Sequence, residues 1–393
     1  MARHATPHGD APPSPRAEPP MSPALAVALL AAAWVGFAYL GYPACLALLA
    51  RIAPRRPIRR GMDQPSLSIV ITVHNGESSL RSKLEATLAL DYGGEREVVI
   101  ASDASTDATD AIAASFAGRG VRLVRNEPRA GKEAAQGAAV AHTKGAILVF
   151  TDVGAELERD ALLRLVEPFA DPEVGSVSSE DVVSTSEGEG AYVRYEMALR
   201  RLESQTTTLI GLSGSCFAVR RALCDGWRPE LPSDFRVALE TAARGLRAVS
   251  EPSARVRIRA LADARREWER KVRTVRRGLA VLSAYRGLLS PRAGRTAFSL
   301  WGHKVARFTS PFALLVLLAA SAWVIREPAG CALLAAQLLG YGLGAAALVS
   351  PRFARFAVPR LLGFFLLVNA SMLVAWFHHL AGRRILTWEP TRR

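Results

Sequence analysis

Residues 23–50, PALAVALLAAAWVGFAYLGYPACLALLA, contain no charged side chain. A helix needs roughly 20 apolar residues to cross about 30 Å of hydrocarbon, so this stretch is long enough to span a bilayer. A cleaved signal peptide would have a shorter apolar core with basic residues before it. Here the basic residues follow, as Arg51, Arg55, Arg56, Arg59 and Arg60. The positive-inside rule then places residue 51 onward in the cytoplasm, with the chain held in a cell (plasma or inner) membrane. Residues 1–22, rich in Pro, Ala and small polar side chains, read as a disordered tail.

Further apolar stretches occur at about 306–325, 329–349 and 359–380. The first is short and bordered by His303, Lys304 and Arg307, so it either crosses or lies partly in the interface. Three spans fit residues 306–382 better than two. They put Arg352, Arg355 and Arg360 inside and the Arg326–Glu327 loop outside, as the charge rule asks. The tail, 383–393, conflicts with that count: Arg383, Arg384, Arg392 and Arg393 would lie outside. Either the tail departs from the rule or one stretch does not cross. Gln337 and Asn369 within these stretches suit hydrogen bonds between helices.

Between the apolar ends lies ordinary soluble sequence. Short β-rich runs at Leu67–Val73, Val98–Ala101, Val121–Val124 and Ile147–Phe150 alternate with helix-like segments at Ser78–Leu90, Thr106–Phe116, Ala134–His142 and Arg159–Phe169. Such alternation predicts an α/β domain, over residues 51–262, with a mostly parallel sheet covered on both faces. The net charge of +14 suits an anionic partner such as lipid headgroups or pyrophosphate. Nucleic acid is not expected, because no DNA- or RNA-binding motif accompanies the charge. The four cysteines, Cys45, Cys216, Cys224 and Cys331, form no C-x-x-C pair, which argues against a zinc site or a disulfide framework.

In open α/β sheets, ligands bind beyond the carboxyl ends of the strands. The first strand ends in LSIVITVHNGE (Leu67–Glu77), and the second runs into ASDASTD (Ala101–Asp107). Asp103 is placed to accept hydrogen bonds from a base or ribose; the alternative for this segment is helix capping by Ser105 or Thr106, with Asp107 near the helix N-terminus. In RAGKEAAQG, Gly131 permits a tight turn and Lys132 opens a helix, a placement that suits either a phosphate or solvent. The apolar run of ILVFTDVGAE ends in Thr151–Asp152, where a carboxylate can hold a divalent ion bridging a diphosphate.

These pieces, with GLSGSCFAVRR and LPSDF, come in an order that resembles the family 2 glycosyltransferases of GT-A fold, a Rossmann-like architecture. The likeness is greatest to the membrane-embedded, polysaccharide-synthase-like branch and spans roughly residues 67–280. The resemblance implies that Asp103 binds the nucleotide base, with Thr72 and Glu77 among the donor contacts. It implies that Asp152 is the metal ligand of a D-x-D motif holding Mg²⁺ or Mn²⁺, and that Asp234 is the general base. Gly214 and Ser215 would wall the acceptor site, and Arg270 would reach the donor pyrophosphate. Two features depart from the pattern. Gly154 replaces the second D-x-D aspartate, with Glu156 nearby, and the Q-x-x-R-W motif of processive members is absent. A W-x-x-T-R-like ending is present as Trp388–Arg392.

Residues 263–305 are predicted to form basic amphipathic, interfacial helices. Trp268, Val272, Val275, Leu279 and Leu282 make one helical stripe among Arg265, Arg266, Arg270, Lys271, Arg273, Arg276 and Arg277. Such a helix either lies among lipid headgroups or packs on the domain with a solvated basic face.

The expected activity is an inverting, metal-dependent transfer from a nucleotide-diphosphate sugar to a glycan or lipid-linked acceptor at the membrane, in cell-envelope or exopolysaccharide synthesis. The alternatives are a polyprenyl-phosphate sugar transferase of the same fold and a catalytically silent membrane partner subunit.

Overall fold

The computed structural model describes residues 21–183, 188–258 and 264–382. The tail motif Trp388–Arg392, the tail arginines and most of the N-terminal tail lie outside the described residues.

The strands are β1 (Leu67–Val73), β2 (Arg96–Asp103), β3 (Val121–Asn126), β4 (Ile147–Asp152), β5 (Glu156–Leu157), β6 (Val174–Val183), β7 (Cys216–Arg220) and β8 (Arg247–Ile258). The helices that matter here are α1 (Pro23–Ile52), α2 (Glu77–Leu88), α3 (Thr109–Ser115), α4 (Lys132–Val140), α5 (Ala161–Val166), α6 (Gly188–Thr206), α7 (Ser233–Ala243), α8 (Ala264–Ala284), α9 (Arg295–Trp323), α10 (Pro328–Val349) and α11 (Ala357–Leu380).

One eight-stranded sheet runs in the order β3-β2-β1-β4-β7-β6-β8-β5. Pairs β1–β2, β2–β3, β1–β4 and β6–β8 are parallel, while β7 runs antiparallel to both β4 and β6. Strands β1 and β4 are buried along nearly their whole length, which explains their unbroken apolar sequence: helices cover both faces. The first four strands and their helices match the sequence reading in order and type. Strands β6 and β8 and helices α6 and α7 were not anticipated, because polar residues such as Ser176, Ser178 and Ser179 interrupt their apolar pattern. Those hydroxyls are buried and hydrogen-bonded within the fold, for example Ser176 with Thr241 and Ser179 with the Cys216 carbonyl.

Four helices are long and apolar enough to cross a membrane: α1, α9, α10 and α11. The polar residues within them are spent between helices. Gln337 donates to Ser321 at 3.1 Å, and Asn369 donates to Tyr39 at 3.3 Å. The basic residues at the start of α9 face protein. His303 contacts Glu203 at 2.8 Å and Glu196 at 3.2 Å, and Arg307 pairs with Glu196. Burial alone would raise the Glu196 carboxyl, but Arg307 and then His303 hold it well below the usual range. Tyr42 of α1 donates to Glu203 at 2.7 Å, so one polar cluster ties α1, α6 and α9 together.

The apolar stripe of α8 is also spent on protein. Val272, Val275, Leu279 and Leu282 are buried with Phe235 and Leu239 of α7 and Val368, Met372 and Ala375 of α11. This corrects the expectation of a helix floating on lipid through its apolar face. Its stripe joins the domain to α11, one of the helices long and apolar enough to cross a membrane.

Candidate active site

The crevice opens where strand order reverses. Strands β1 and β4 lie side by side in the sheet, with Thr72 opposite Asp152, while the chain returns through β7 in the opposite direction. Backbone ends at such a point diverge and leave room for a ligand. The resulting hollow, of about 430 Å³, gathers Thr72, Lys132, Asp152, Gly214, Ser215, Asp234 and Arg270. All seven were singled out in the sequence. A larger hollow of about 590 Å³ sits near Asp63, Ile147 and Arg220. Arg220 there is occupied by the Val174, Phe169 and Asp171 carbonyls, so size is not the guide to chemistry.

Lys132 and then Gly214 connect Asp152 to Asp234. Lys132 Nζ lies 2.5 Å from Asp152 Oδ1 and donates to the Gly214 carbonyl at 3.0 Å. A Cβ placed on Gly214 would stand 3.2 Å from Asp234 Oδ2, so this glycine brings the loop directly against the second carboxylate. Burial lowers the Lys132 pKa, but Asp152 more than offsets it and the net shift is upward, so the ammonium is charged. The solvated alternative for Lys132 is therefore set aside.

Lys83 of α2 supports Asp152 from beneath. Its ammonium donates to Thr151 Oγ1 at 3.2 Å and to the Ala155 carbonyl at 2.5 Å, pinning the turn that presents the carboxylate. Burial pushes its pKa down to about 8, against partial compensation from Cys216, Asp152 and Glu156. Asp181 at the end of β6 accepts from Ser213 at 2.6 Å and from Ser215, and so fixes the loop carrying Gly214. Neither residue was found from sequence. Lys83 looks like any helix-surface lysine, and Asp181 lies on a strand that was not recognised.

Asp103 and Glu77 do not line the hollow. Asp103 is fully buried at the end of β2, next to β1, and its carboxylate accepts from Asn126 Nδ2 at 3.2 Å and the Ala130 and Gly131 amides at 2.9 Å each. It thereby holds the turn that starts α4 and aims Lys132. Glu77 is exposed and accepts from the Ala108 amide at 3.0 Å, while Asp107 accepts from the Glu77 and Thr109 amides at 3.1 and 3.0 Å. Asp107 thus ties the turn before α3 to the start of α2, and these hydrogen bonds, led by the Thr109 hydroxyl, outweigh partial burial and lower its carboxyl pKa.

The roof and far end of the crevice are basic. Arg270, Arg273 and Arg277 of α8 line it, and Arg277 pairs at 2.5 Å with Glu133, the residue after Lys132. Arg200 of α6 and Lys304 and Phe308 of α9 complete that end. The Lys304 ammonium sits 5.3 Å from the centre of the Phe235 ring, beside Asp234.

The described residues contain no cluster of three or more His, Cys, Asp or Glu that could hold an ion alone. What they offer is Asp152, an exposed Glu156, and open space at Gly154, where an added Cβ would meet nothing within 4 Å. Mg²⁺-type sites commonly take one or two carboxylates plus substrate phosphates, so one carboxylate with room beside it fits a cation delivered with a diphosphate.

The GT-A fold thus sets two aspartates under a cationic roof in one crevice. Residues 68–227 match the family described as Glycosyl transferase family 2. The chain is 30% identical over 188 residues to a beta-monoglucosyldiacylglycerol synthase of Synechocystis sp., covering 43% of this chain and 38% of that one. It is 28% identical over 144 residues to the succinoglycan biosynthesis protein ExoO of Rhizobium meliloti, covering 36% of this chain and 40% of that one. The matches thus span about two fifths of those relatives' length. Among solved structures, the mannosyltransferase PcManGT of Pyrobaculum calidifontis, in complex with GDP-Man and Mn²⁺, superposes with a TM-score of 0.72 at 23% identity. That superposition covers 92% of this chain and all of the other, so the shared fold extends well beyond the family segment.

Proposed function

We propose that this protein transfers a sugar, with inversion, from a nucleotide-diphosphate sugar to a hydroxyl of a glycan or lipid-linked acceptor at the membrane face. The observation that carries the reading is the chain of contacts Asp152–Lys132–Gly214–Asp234 in one crevice. It sets an anion-handling group and a proton acceptor on the walls of one hollow of about 430 Å³.

In the proposed step the acceptor oxygen attacks the anomeric carbon and the bond from that carbon to the diphosphate oxygen breaks. Asp234 takes the hydroxyl proton, and the nucleoside diphosphate leaves with the bonding electron pair. Lys132, Arg270 and Arg277 face the position where negative charge grows. Asp152 would hold Mg²⁺ or Mn²⁺, which when bound supplies further neutralisation of the diphosphate. Asp103 acts on the donor indirectly, through the Ala130–Gly131 turn. The relatives in glycolipid and succinoglycan synthesis, with four candidate spans, support a role in envelope or exopolysaccharide assembly in which the catalytic domain is cytoplasmic.

The second reading, a phosphate acceptor carried on a polyprenyl lipid, is favoured by Lys304. Among the described residues its ammonium has no carboxylate within ion-pair distance, and it sits where the crevice meets a membrane helix. One experiment separates the readings. Purified full-length protein is assayed for transfer from a panel of nucleotide sugars with Mn²⁺ or Mg²⁺, beside Asp234→Asn. Loss of roughly 10²–10⁴-fold in turnover, with nucleotide still raising thermal stability, supports a hydroxyl acceptor. Full activity of Asp234→Asn on a phosphate acceptor establishes the second reading. Nucleotide binding without turnover by the unmodified protein would mark a silent subunit.

A further inference from the structure

At the opposite edge of the sheet from the crevice, a second hollow of about 520 Å³ is lined by Pro54, Arg55, Arg56, Glu173, Arg247 and Arg295. It lies at the starts of β6 and β8, where Val174 pairs with Arg247, and shares no residue with the crevice. Only Arg56 is neutralised there, by Asp171 at 3.1 Å and Glu173 at 3.5 Å. Arg247 and Arg295 are held by carbonyls instead. Arg247 donates to Arg56 O at 2.9 Å and Ser204 O at 3.2 Å, and Arg295 donates to Thr206 O at 2.7 Å. Among the described residues, Arg55, Arg247 and Arg295 have no carboxylate within ion-pair distance. The Nε atoms of Arg55 and of the buried Arg247 have no hydrogen-bond partner at all. Burial and then the charge of Arg55 push the Arg247 guanidinium pKa down, against partial compensation from Asp171 and Glu173.

Position decides what would neutralise these groups. Pro54 follows two residues after the end of α1, and Arg295 opens α9, both long and apolar enough to span a bilayer. The 30 residues of α1 extend roughly 45 Å, which matches a bilayer with its headgroups. Its Ile52 end, still apolar and exposed, therefore reaches the headgroup layer on the side of the catalytic domain. Basic pockets between span ends at that level suit lipid phosphates.

We propose that this pocket binds the phosphate of an anionic membrane lipid and so seats the rear of the domain on the bilayer, independently of the transfer reaction. The test uses full-length protein in nanodiscs of phosphatidylcholine alone or with phosphatidylglycerol, reading lipid retention by native mass spectrometry and thermal stability. Unmodified protein should retain phosphatidylglycerol preferentially and gain stability from it. Arg55→Gln/Arg295→Gln should weaken that retention roughly thirtyfold. Arg55→Lys/Arg295→Lys should keep it within about threefold, which separates loss of charge from misfolding. Arg119→Gln/Arg122→Gln, which removes equal charge from an exposed region, should change nothing. The proposal is overturned if the Gln pair retains the lipid, if the control loses as much, or if inorganic phosphate in phosphatidylcholine discs gives the full stabilisation.

Discussion

Replacing Lys83 by Met removes a charge from beneath Asp152 while keeping most of the side-chain volume. The native Lys83 is buried with a pKa near 8, against 10.5 for the unperturbed group. That difference corresponds to about 3 kcal/mol of unfavourable interaction for the charged form. The sign follows from proton counts. Between pH 8 and 10.5 the unfolded chain holds a proton on Lys83 that the folded chain has released, so native stability rises with pH across that window. Above 10.5 the penalty is gone, and below 8 it is present in full. At neutral pH the Met variant escapes this cost but leaves Thr151 Oγ1 and the Ala155 carbonyl without their donor, at about 1–3 kcal/mol per buried group, so the two proteins should be of similar stability there. The decisive quantity is the difference in pH dependence. From pH 8.5 to 10 the unmodified protein should gain about 2 kcal/mol relative to Lys83→Met. Chemical denaturation of both proteins in the same detergent, at several pH values, measures it. Activity should fall in the variant at all pH values, because the turn carrying Asp152 loses its anchor. Parallel stability curves across this window would refute the assignment of a strained, charged lysine beneath the site.

Three further outcomes follow from particular contacts. Gly154→Asp enters open space and should tighten Mn²⁺ about tenfold in a metal titration of activity; an unchanged titration would put Gly154 away from the diphosphate. Gly302→Val should cost about 1–3 kcal/mol or more in thermal stability, since even a Cβ there would stand 2.1 Å from the Tyr42 ring that packs α1 on α9. Ala104 has φ 50°, in the left-handed region, so Ala104→Gly should stabilise the protein by up to about 1 kcal/mol after glycine's own entropic cost, as read by a thermal shift.

Much of this molecule was readable from local pattern. The four helices long and apolar enough to cross a membrane, the order of the first four strands and the strand-end position of Asp152 depend on run length, period and position, all properties of neighbouring residues, whereas Asp234 was singled out only through the family resemblance. Convergence is different, because it depends on which strands become neighbours. The sheet places β7 between β4 and β6, and only then does Asp181 reach Ser213 and Ser215. Only the packing of α8 on α7 and α11 turns Arg270 and Arg277 over the crevice rather than toward lipid. A separate long-range contact occupies Asp103, whose oxygens accept from amides of a turn more than 20 residues downstream. A residue's type and local spacing state what chemistry it can do. Its partners, and so its charge state and accessibility, are set by contacts between distant segments, and no local pattern encodes them.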